Sequence, residues 1–525
     1  MSEAGEAEAD VVGGLLDKPA AQDSAAPESA APWRRLAPGT LLVTAAVMAG
    51  IALGAGVPTA LGISNGLGPV RAVGWVLAAT LLFVACGTGA DYIRWRRTRY
   101  RIGAERAELH TGLLLVKRRS LARERIRSVD LTANPMLRVL GLVKVRIGTG
   151  EHSGESTLEL DLVTRQEGER LRRELLDRAP GTPGAHREGV LAALDPRWIR
   201  YAPMSFLAPA LGGAAAGGLL QISDWFGAQR QVVDWIAHRL ADTPLGWAIV
   251  LLVGAAGLAG VVGTLGLWVE MWWNYRIERE PGGTLRVRRG LFTARSVSIE
   301  ERRLRGVELV EPFGVRLLGA ARLDAVATGL AHDDEDKHVD HKNLLPAAPR
   351  AVAQELAAQV LREPVSPTRS ATLTPHPSAA RGRRLRRALA AALAPVLILT
   401  VLGLLVTDVL LQVAAGLAVV ALPTAVLLAL DAARNLGHGI SGGYLVARSG
   451  TLRRSTVALQ RAGVIGWTVR QSVFQRRAGL LTLTATTAAG DGAYHVRDAA
   501  QAEGLAFAEE AVPSLLTPFL DRGPA

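Results

Sequence analysis

The sequence predicts a membrane protein of mixed α and β class. It has six transmembrane helices in three hairpins, each hairpin followed by a small cytoplasmic β-domain that ends in one helix. Three observations lead there. The apolar residues, 49% of 525, gather in long blocks almost free of charge and give a positive mean hydropathy of +0.20. Arginines crowd one side of those blocks. The segments between the blocks repeat one another in register.

Residues 1–32 are rich in Ala, Glu and Asp and lack the basic start and early apolar core of a signal peptide, so they read as a disordered acidic tail. Apolar blocks at 39–60 and 69–90 each approach the roughly 20 residues that cross a hydrocarbon core, and the stretch 61–68 joins them. A second pair lies at 203–222 and 245–269, a third at 389–406 and 409–430. Hairpins therefore occupy 33–93, 197–270 and 385–433, and soluble domains 94–180, 271–363 and 434–520, with a linker at 364–384.

Orientation follows from the arginines. Arg34 and Arg35 precede the first span, Arg94, Arg96, Arg97, Arg99 and Arg101 follow the second, and Arg381, Arg383, Arg384, Arg386 and Arg387 precede the fifth, whereas the tips of the first and third hairpins are nearly uncharged. The positive-inside rule places both termini and both long inter-hairpin segments in the cytoplasm, in a multi-pass protein of the cell (cytoplasmic) membrane. Trp95, Trp198, Trp268, Trp272 and Trp273 stand at the same edges, where indole rings suit the headgroup layer. Between spans three and four, Trp225, Val232, Ile236 and Leu240 recur at helical spacing, as in an interfacial helix or a cap over the bundle. The formal charge of +12 then reads as topology rather than nucleic-acid binding. A single cysteine, Cys86, excludes internal disulfides and cysteine-based zinc sites.

The three soluble segments superpose at constant offsets of 178 and 338 residues. Gly112, Gly290 and Gly450 open the register, Leu121, Ile299 and Leu459 follow, then Ile126, Leu304 and Val464, then Arg138, Arg316 and Arg476, and Gly141, Gly319 and Gly479. Within the first copy, alternating segments at 100–102, 107–109, 120–131, 143–148 and 157–162 read as strands, broken by Gly and Asn-Pro. An amphipathic helix at 165–178 closes the unit, echoed at 351–362 and 499–516.

These residues resemble the bacterial pleckstrin-homology-like (bPH2) domain of the YdbS/YdbT-like membrane proteins. The resemblance is carried by Tyr-Arg-Ile at Tyr100 and again at Tyr275, the Gly-Leu that follows, the basic run Arg125-Ile126-Arg127-Ser128-Val129, and Arg138-Val139-Leu140-Gly141-Leu142 leading into a Val/Ile strand. The pattern covers 34–520, and its tripling is similar to the larger, YdbT-type members. The resemblance implies a seven-stranded, partly open PH-like β-barrel capped by one C-terminal helix, and no reaction. It also implies a partner, a single-domain companion membrane protein of the same family. The third copy departs most, with Tyr444-Leu445-Val446 as its first strand and Trp467 where the others have Val129 and Val307.

Candidate lipid or partner contacts are Lys117, Arg118, Arg119, Arg123, Arg125 and Arg127 in the first copy and Arg302, Arg303 and Arg305 in the second. On a strand, alternation sends Arg123, Arg125 and Arg127 to one face, and anionic headgroups attract such residues by about 1 kcal/mol each. Two readings stand: contact with the inner leaflet or an acidic partner segment, and a solvated sheet face whose arginines pair with nearby Glu. The run from His332 to His341 has metal-ligating residue types, but it falls at a hairpin tip, and an acidic exposed loop without metal is expected.

The sequence contains no Gly-x-Ser-x-Gly elbow, no His-Glu-x-x-His and no phosphate-binding Gly-rich loop, so neither enzyme activity nor a cofactor is expected. Arg71, Asp224, Glu270 and Asp408 lie near span ends, which leaves no proton or ion relay within the spans, and the Gly/Ala runs suit close helix packing. The expected function is non-enzymatic scaffolding, or protein and lipid interaction, at the inner leaflet. The alternative is a component of an export or antimicrobial-peptide and envelope-stress resistance complex.

Overall fold

The computed structural model describes residues 32–112, 117–126, 128–148, 157–176, 189–205, 207–280, 283–328, 342–513, 515–516 and 518. The acidic tail through residue 31, Arg127 and the loop from His332 to His341 lie outside them.

Unit one comprises β1 (Arg34–Arg35), α1 (Thr40–Leu67), α2 (Pro69–Arg97), β2 (Arg99–Ile102), β3 (Arg106–Thr111), β4 (Lys117–Ala122), β5 (Ser128–Ala133), α3 (Pro135–Val139), β6 (Leu142–Gly148), β7 (Thr157–Thr164) and α4 (Arg165–Leu176). Unit two comprises β8 (Gly189–Ala193), α5 (Leu207–Trp225), α6 (Gln229–Leu240), α7 (Leu245–Trp272), β9 (Arg276–Glu280), β10 (Thr284–Arg289), β11 (Ala294–Glu300), β12 (Leu304–Pro312), α8 (Phe313–Leu317), β13 (Ala320–Ala327), β14 (Asn343–Pro349) and α9 (Arg350–Leu361). Unit three comprises α10 (Pro367–Ser370), β15 (Thr374–Pro375), α11 (Ser378–Leu405), α12 (Asp408–Arg434), β16 (Gly437–Ser441), β17 (Tyr444–Ser449), β18 (Arg453–Gln460), β19 (Val464–Arg470), α13 (Val473–Arg477), β20 (Leu480–Thr487), β21 (Ala493–Ala500) and α14 (Gln501–Ala511).

Each unit places its first strand before its hairpin. Arg34 pairs with Tyr100, Val190 with Glu278 and Thr374 with His438, so each hairpin is a long insertion between two hydrogen-bonded neighbours. Both ends of a hairpin are thereby fixed to one sheet. The stretch 364–384, expected as a linker, instead supplies α10, β15 and the first turns of α11 to unit three.

Among the described residues, five helices are long and apolar enough to cross a membrane, and a sixth span exists if the 3-10 turn Pro196–Met204 and α5, bent 71° from each other, count as one. The expected loop 61–68 is nearly absent: α1 continues to Leu67, and the chain reverses at Gly68, whose φ of 81° suits glycine, before Pro69 starts α2. Helices α5 and α7 touch backbone to backbone. A Cβ on Gly212 would lie 2.2 Å from the Ala256 carbonyl oxygen, and one on Gly260 2.0 Å from that of Ala208. The segment between them forms α6, a helix with no buried residue.

The repeat register is realised in the backbone. Helices α3, α8 and α13 occupy matching positions, and Gly141, Gly319 and Gly479 after them share the left-handed conformation, with φ of 66°, 68° and 62°. Among the described residues each unit has seven strands, in two sheets that share one core with the closing helix. In unit one that core includes Tyr100, Leu109, Ile126, Val145, Leu160 and Leu171.

The sheets do not end at the unit boundaries. Strands β7, β6 and β5 of unit one continue into β11, β10, β9 and β8 of unit two, and β14, β13 and β12 continue into β18, β17, β16 and β15 of unit three. Hydrogen bonding thus passes between units rather than closing each pair of sheets into its own barrel. The two junctions use one register: Leu131 opposes Ser296, and their counterparts Leu309 and Thr456 oppose each other.

Two of the tryptophans expected at the headgroup layer belong to the core of unit two. Trp198 and Trp272 are buried beside Tyr201 and Tyr275, because the chain leaves its sheet just before Trp198 and re-enters it just after Trp272. The Trp95 indole donates to the Leu36 carbonyl at 3.0 Å, tying α2 to the segment that follows β1.

Candidate functional site

The expected basic patch divides into several roles. Arg123–Arg125 forms one 3-10 turn rather than strand, so strand alternation does not set the direction of the Arg123 side chain. The Arg123 guanidinium donates to the carbonyls of Gly103, at 3.3 Å, and Glu174. Its counterpart Arg461 donates to the carbonyls of Glu510 and Ala511, so both clasp the C-terminal end of their unit's closing helix, where carbonyls lack helical partners. In unit two Glu301 holds this position and binds Arg279 and Arg362.

Arg302 and Arg303 each reach Glu300 at 2.7 Å, and Arg303 also donates across the junction to the Ile126 carbonyl at 2.9 Å. The Arg305 side chain lies over Gly463. Of the nine expected contacts, Arg302 is exposed while paired with Glu300, and Lys117 and Arg118 stand exposed on edge strand β4, with Arg119 half-buried beside them.

A larger basic site lies where unit three meets its hairpin. A cleft of about 890 Å³ is lined by Arg383, Arg384 and Arg387 from α11, Arg470 from β19 and Arg497 from β21, with Asp498 as its one carboxylate. Asp498 explains its shape. Leu481 opposes Ala499 and Thr482 opposes Arg497, so Asp498 is the extra residue of a bulge, and its φ of 61° turns it inward. There it is buried and accepts from Arg383, from Gln475 at 3.0 Å and from Arg384 at 3.3 Å. Gln475 is itself held by a capping box with Ser472.

Two of the five guanidiniums are therefore committed to the fold. Arg387, Arg470 and Arg497 are exposed, with no bonded partner among the described residues. Thr482, Thr484 and His495 add polar groups, and the His495 Nδ1 lies 2.9 Å from the Thr484 hydroxyl. Burial lowers the His495 pKa, followed by the charges of Arg497 and Arg470. Leu428, Ala429 and Ala432 of α12 give the cleft an apolar wall. A second cleft of about 630 Å³, lined by Arg35, Arg96, Arg97 and Arg99, lies at the foot of the first hairpin. Guanidiniums in this number favour phosphate-type anions, which they bind by paired N–H donors.

Beside the larger cleft, His376 Nε2 and His438 Nδ1 are 3.0 Å apart, and His376 Nδ1 is 3.1 Å from the Asp498 carbonyl. Burial first, and His438 second, push the His376 pKa down to about 4, and burial lowers that of His438. No group of three or more His, Cys, Asp or Glu fit to hold a metal occurs among the described residues.

Sequence reasoning read Arg383, Arg384 and Arg387 only as markers of orientation and did not single out Arg470 or Arg497. The signal for Arg497 was the alternation in β21, which places His495 and Arg497 on one face.

Comparison with known proteins agrees with this architecture. The family model for the bacterial PH domain matches three times, at 43–179, 231–364 and 389–508. The UPF0699 transmembrane protein YdbT of Bacillus subtilis (strain 168) is 23% identical over 425 residues, covering 78% of this chain and 83% of its own. No solved structure matches the chain. Matched three times over more than half its length, the chain belongs to the bacterial PH domain family, as an α plus β membrane protein with three such repeats.

Proposed function

We propose that the protein is a non-enzymatic scaffold of the cell membrane, with its three PH-like units and both termini on the cytoplasmic side, and that it engages anionic lipid headgroups at the feet of its hairpins. One observation carries this reading: the cleft between unit three and its hairpin exposes Arg387, Arg470 and Arg497 beside an apolar wall from α12. A phospholipid presents that combination, a phosphate next to acyl chains. The basic foot of the first hairpin supports the same reading. A single-domain membrane protein of the same family is the proposed partner of this scaffold. The export reading gains no support from the helix crossings, which are built on Gly212 with Gly260 and on Gly403 with Leu411.

Native mass spectrometry of the intact protein in mild detergent tests the lipid reading. Retention of an anionic phospholipid over a zwitterionic one of equal chain length is the expected result. Equal retention would refute it.

A further inference from the structure

Among the described residues, strand β19 bonds β20 on one side and no strand on the other. Its counterparts β5 and β12 each carry a strand of the following unit on that side, β11 and β18. Two details of β19 match a paired strand rather than a free edge. Gly306 in β12 lies under β18, where a Cβ would come within 2.0 Å of the Ala458 carbonyl oxygen, so pairing there requires glycine. Its counterpart Gly466 follows the same register irregularity and faces open space, with nothing within 4 Å of such a Cβ. Likewise Leu131 and Leu309 are 6% and 0% exposed within their junctions, whereas their counterpart Val469 is 44% exposed.

The strand that would continue the series from a second copy is β4. In the shared register its Arg118 would oppose Val469, its Arg119 would oppose Thr468, and its Lys117 would face Arg470. At these positions β11 has Ser296 and Val297, and β18 has Thr456 and Val457. Like charges directly opposed destabilise a strand pair, and cations on an edge strand oppose addition.

We propose that β19 is the docking edge for an antiparallel strand of a different protein. That strand carries a small side chain opposite Val469 and an aliphatic one opposite Thr468, as β18 does opposite β12. Main-chain hydrogen bonds supply the binding, and the two side-chain positions supply the selection. The edge shares Arg470 with the headgroup cleft, but its test reads strand pairing at Val469 rather than lipid binding, so the two proposals can fail separately.

The test uses the intact protein in detergent, with Cys86→Ser and Val469→Cys, and a synthetic peptide of residues 453–460 carrying Thr456→Cys. With a mild thiol oxidant added to take up the two electrons, directly opposed cysteines lie close enough to form a disulfide, whereas cysteines one residue out of register point to opposite faces and form it more slowly. The controls are the same peptide with Val457→Cys instead, and a peptide of residues 117–122 with Arg118→Cys. Both are expected at the slower rate. Adding Gly466→Val is expected to bring the first peptide down to that rate. Equal rates for all peptides, or no effect of Gly466→Val in a folded protein, would overturn the proposal. If the Gly466→Val protein does not accumulate, the peptide comparison decides alone. Efficient chain-to-chain disulfides in a Val469→Cys, Arg118→Cys protein would assign the edge to a second copy and also overturn it.

Discussion

Glu311 of unit two and Arg454 of unit three meet in a two-pronged ion pair, Nε to Oε2 at 2.7 Å and Nη2 to Oε1 at 2.6 Å. The Glu311 side chain is only 2% exposed, and the pair sits where β12 and β18 run side by side, so it bonds the two units through side chains as well as backbone. Glu308 adds Ser455 at 2.7 Å and Arg453 at 3.4 Å. The first junction carries a different network, in which Glu169 and Glu280 alternate with Arg172 and Arg286.

Removing one partner of a buried pair leaves the other charge without compensation, which costs about 3–5 kcal/mol. Arg454→Ala leaves Glu311 only the longer contact to Arg350, at 3.6 Å, and is therefore expected to destabilise the junction of units two and three by about 3 kcal/mol, the lower end of that range. Arg118→Ala, on an exposed edge, should change stability by less than about 0.5 kcal/mol. Thermal unfolding of the intact protein in detergent checks the order of the two.

Helix packing between α5 and α7 depends on which glycine is changed. Gly212→Ala puts a methyl into the Ala256 carbonyl and should destabilise by about 1–3 kcal/mol. Gly213 has nothing within 4 Å of the same position, so Gly213→Ala should be near neutral. Equal losses in the two variants would contradict the crossing described above.

Acid should act in opposite directions on units one and three. Burial raises the Asp130 pKa to about 7 against the pull of Arg146, so its contribution is full below the ordinary carboxylate range and is lost as pH rises through 7. His376 is held down to about 4, so its contribution is present above the ordinary histidine value near 6.5 and is lost as pH falls through 4. Hydrogen exchange should therefore show β5 and β6 better protected at pH 5.5 than at pH 8, and β15 and β16 less protected. Asp130→Asn should abolish the first trend, and His376→Phe the second.

Much of this architecture was legible in the sequence. Long uncharged blocks can hardly be anything but membrane helices, and Gly141, Gly319 and Gly479 keep a spacing that the backbone requires. The strand exchange between units was not legible, because residues in β5 and β12 alternate in the same way whether the neighbouring strand belongs to their own unit or the next. Arg123 looked like a surface cation and is a helix clasp, a distinction set by the turn at 123–125 rather than by residue type. The cleft of unit three brings together Arg387, Arg470 and Arg497 from three separate elements, with no local motif to announce it.

Binding of an anionic phospholipid to the intact protein and to its Arg387→Gln, Arg470→Gln, Arg497→Gln variant is the most direct measurement of the proposed role. Asp498, with Arg383 and Arg384, stays intact in that variant, so hairpin and domain remain tied. At about 1 kcal/mol per arginine, affinity should fall on the order of a hundredfold at low salt. Unchanged affinity in a folded triple variant would contradict the assignment of the cleft as the headgroup site.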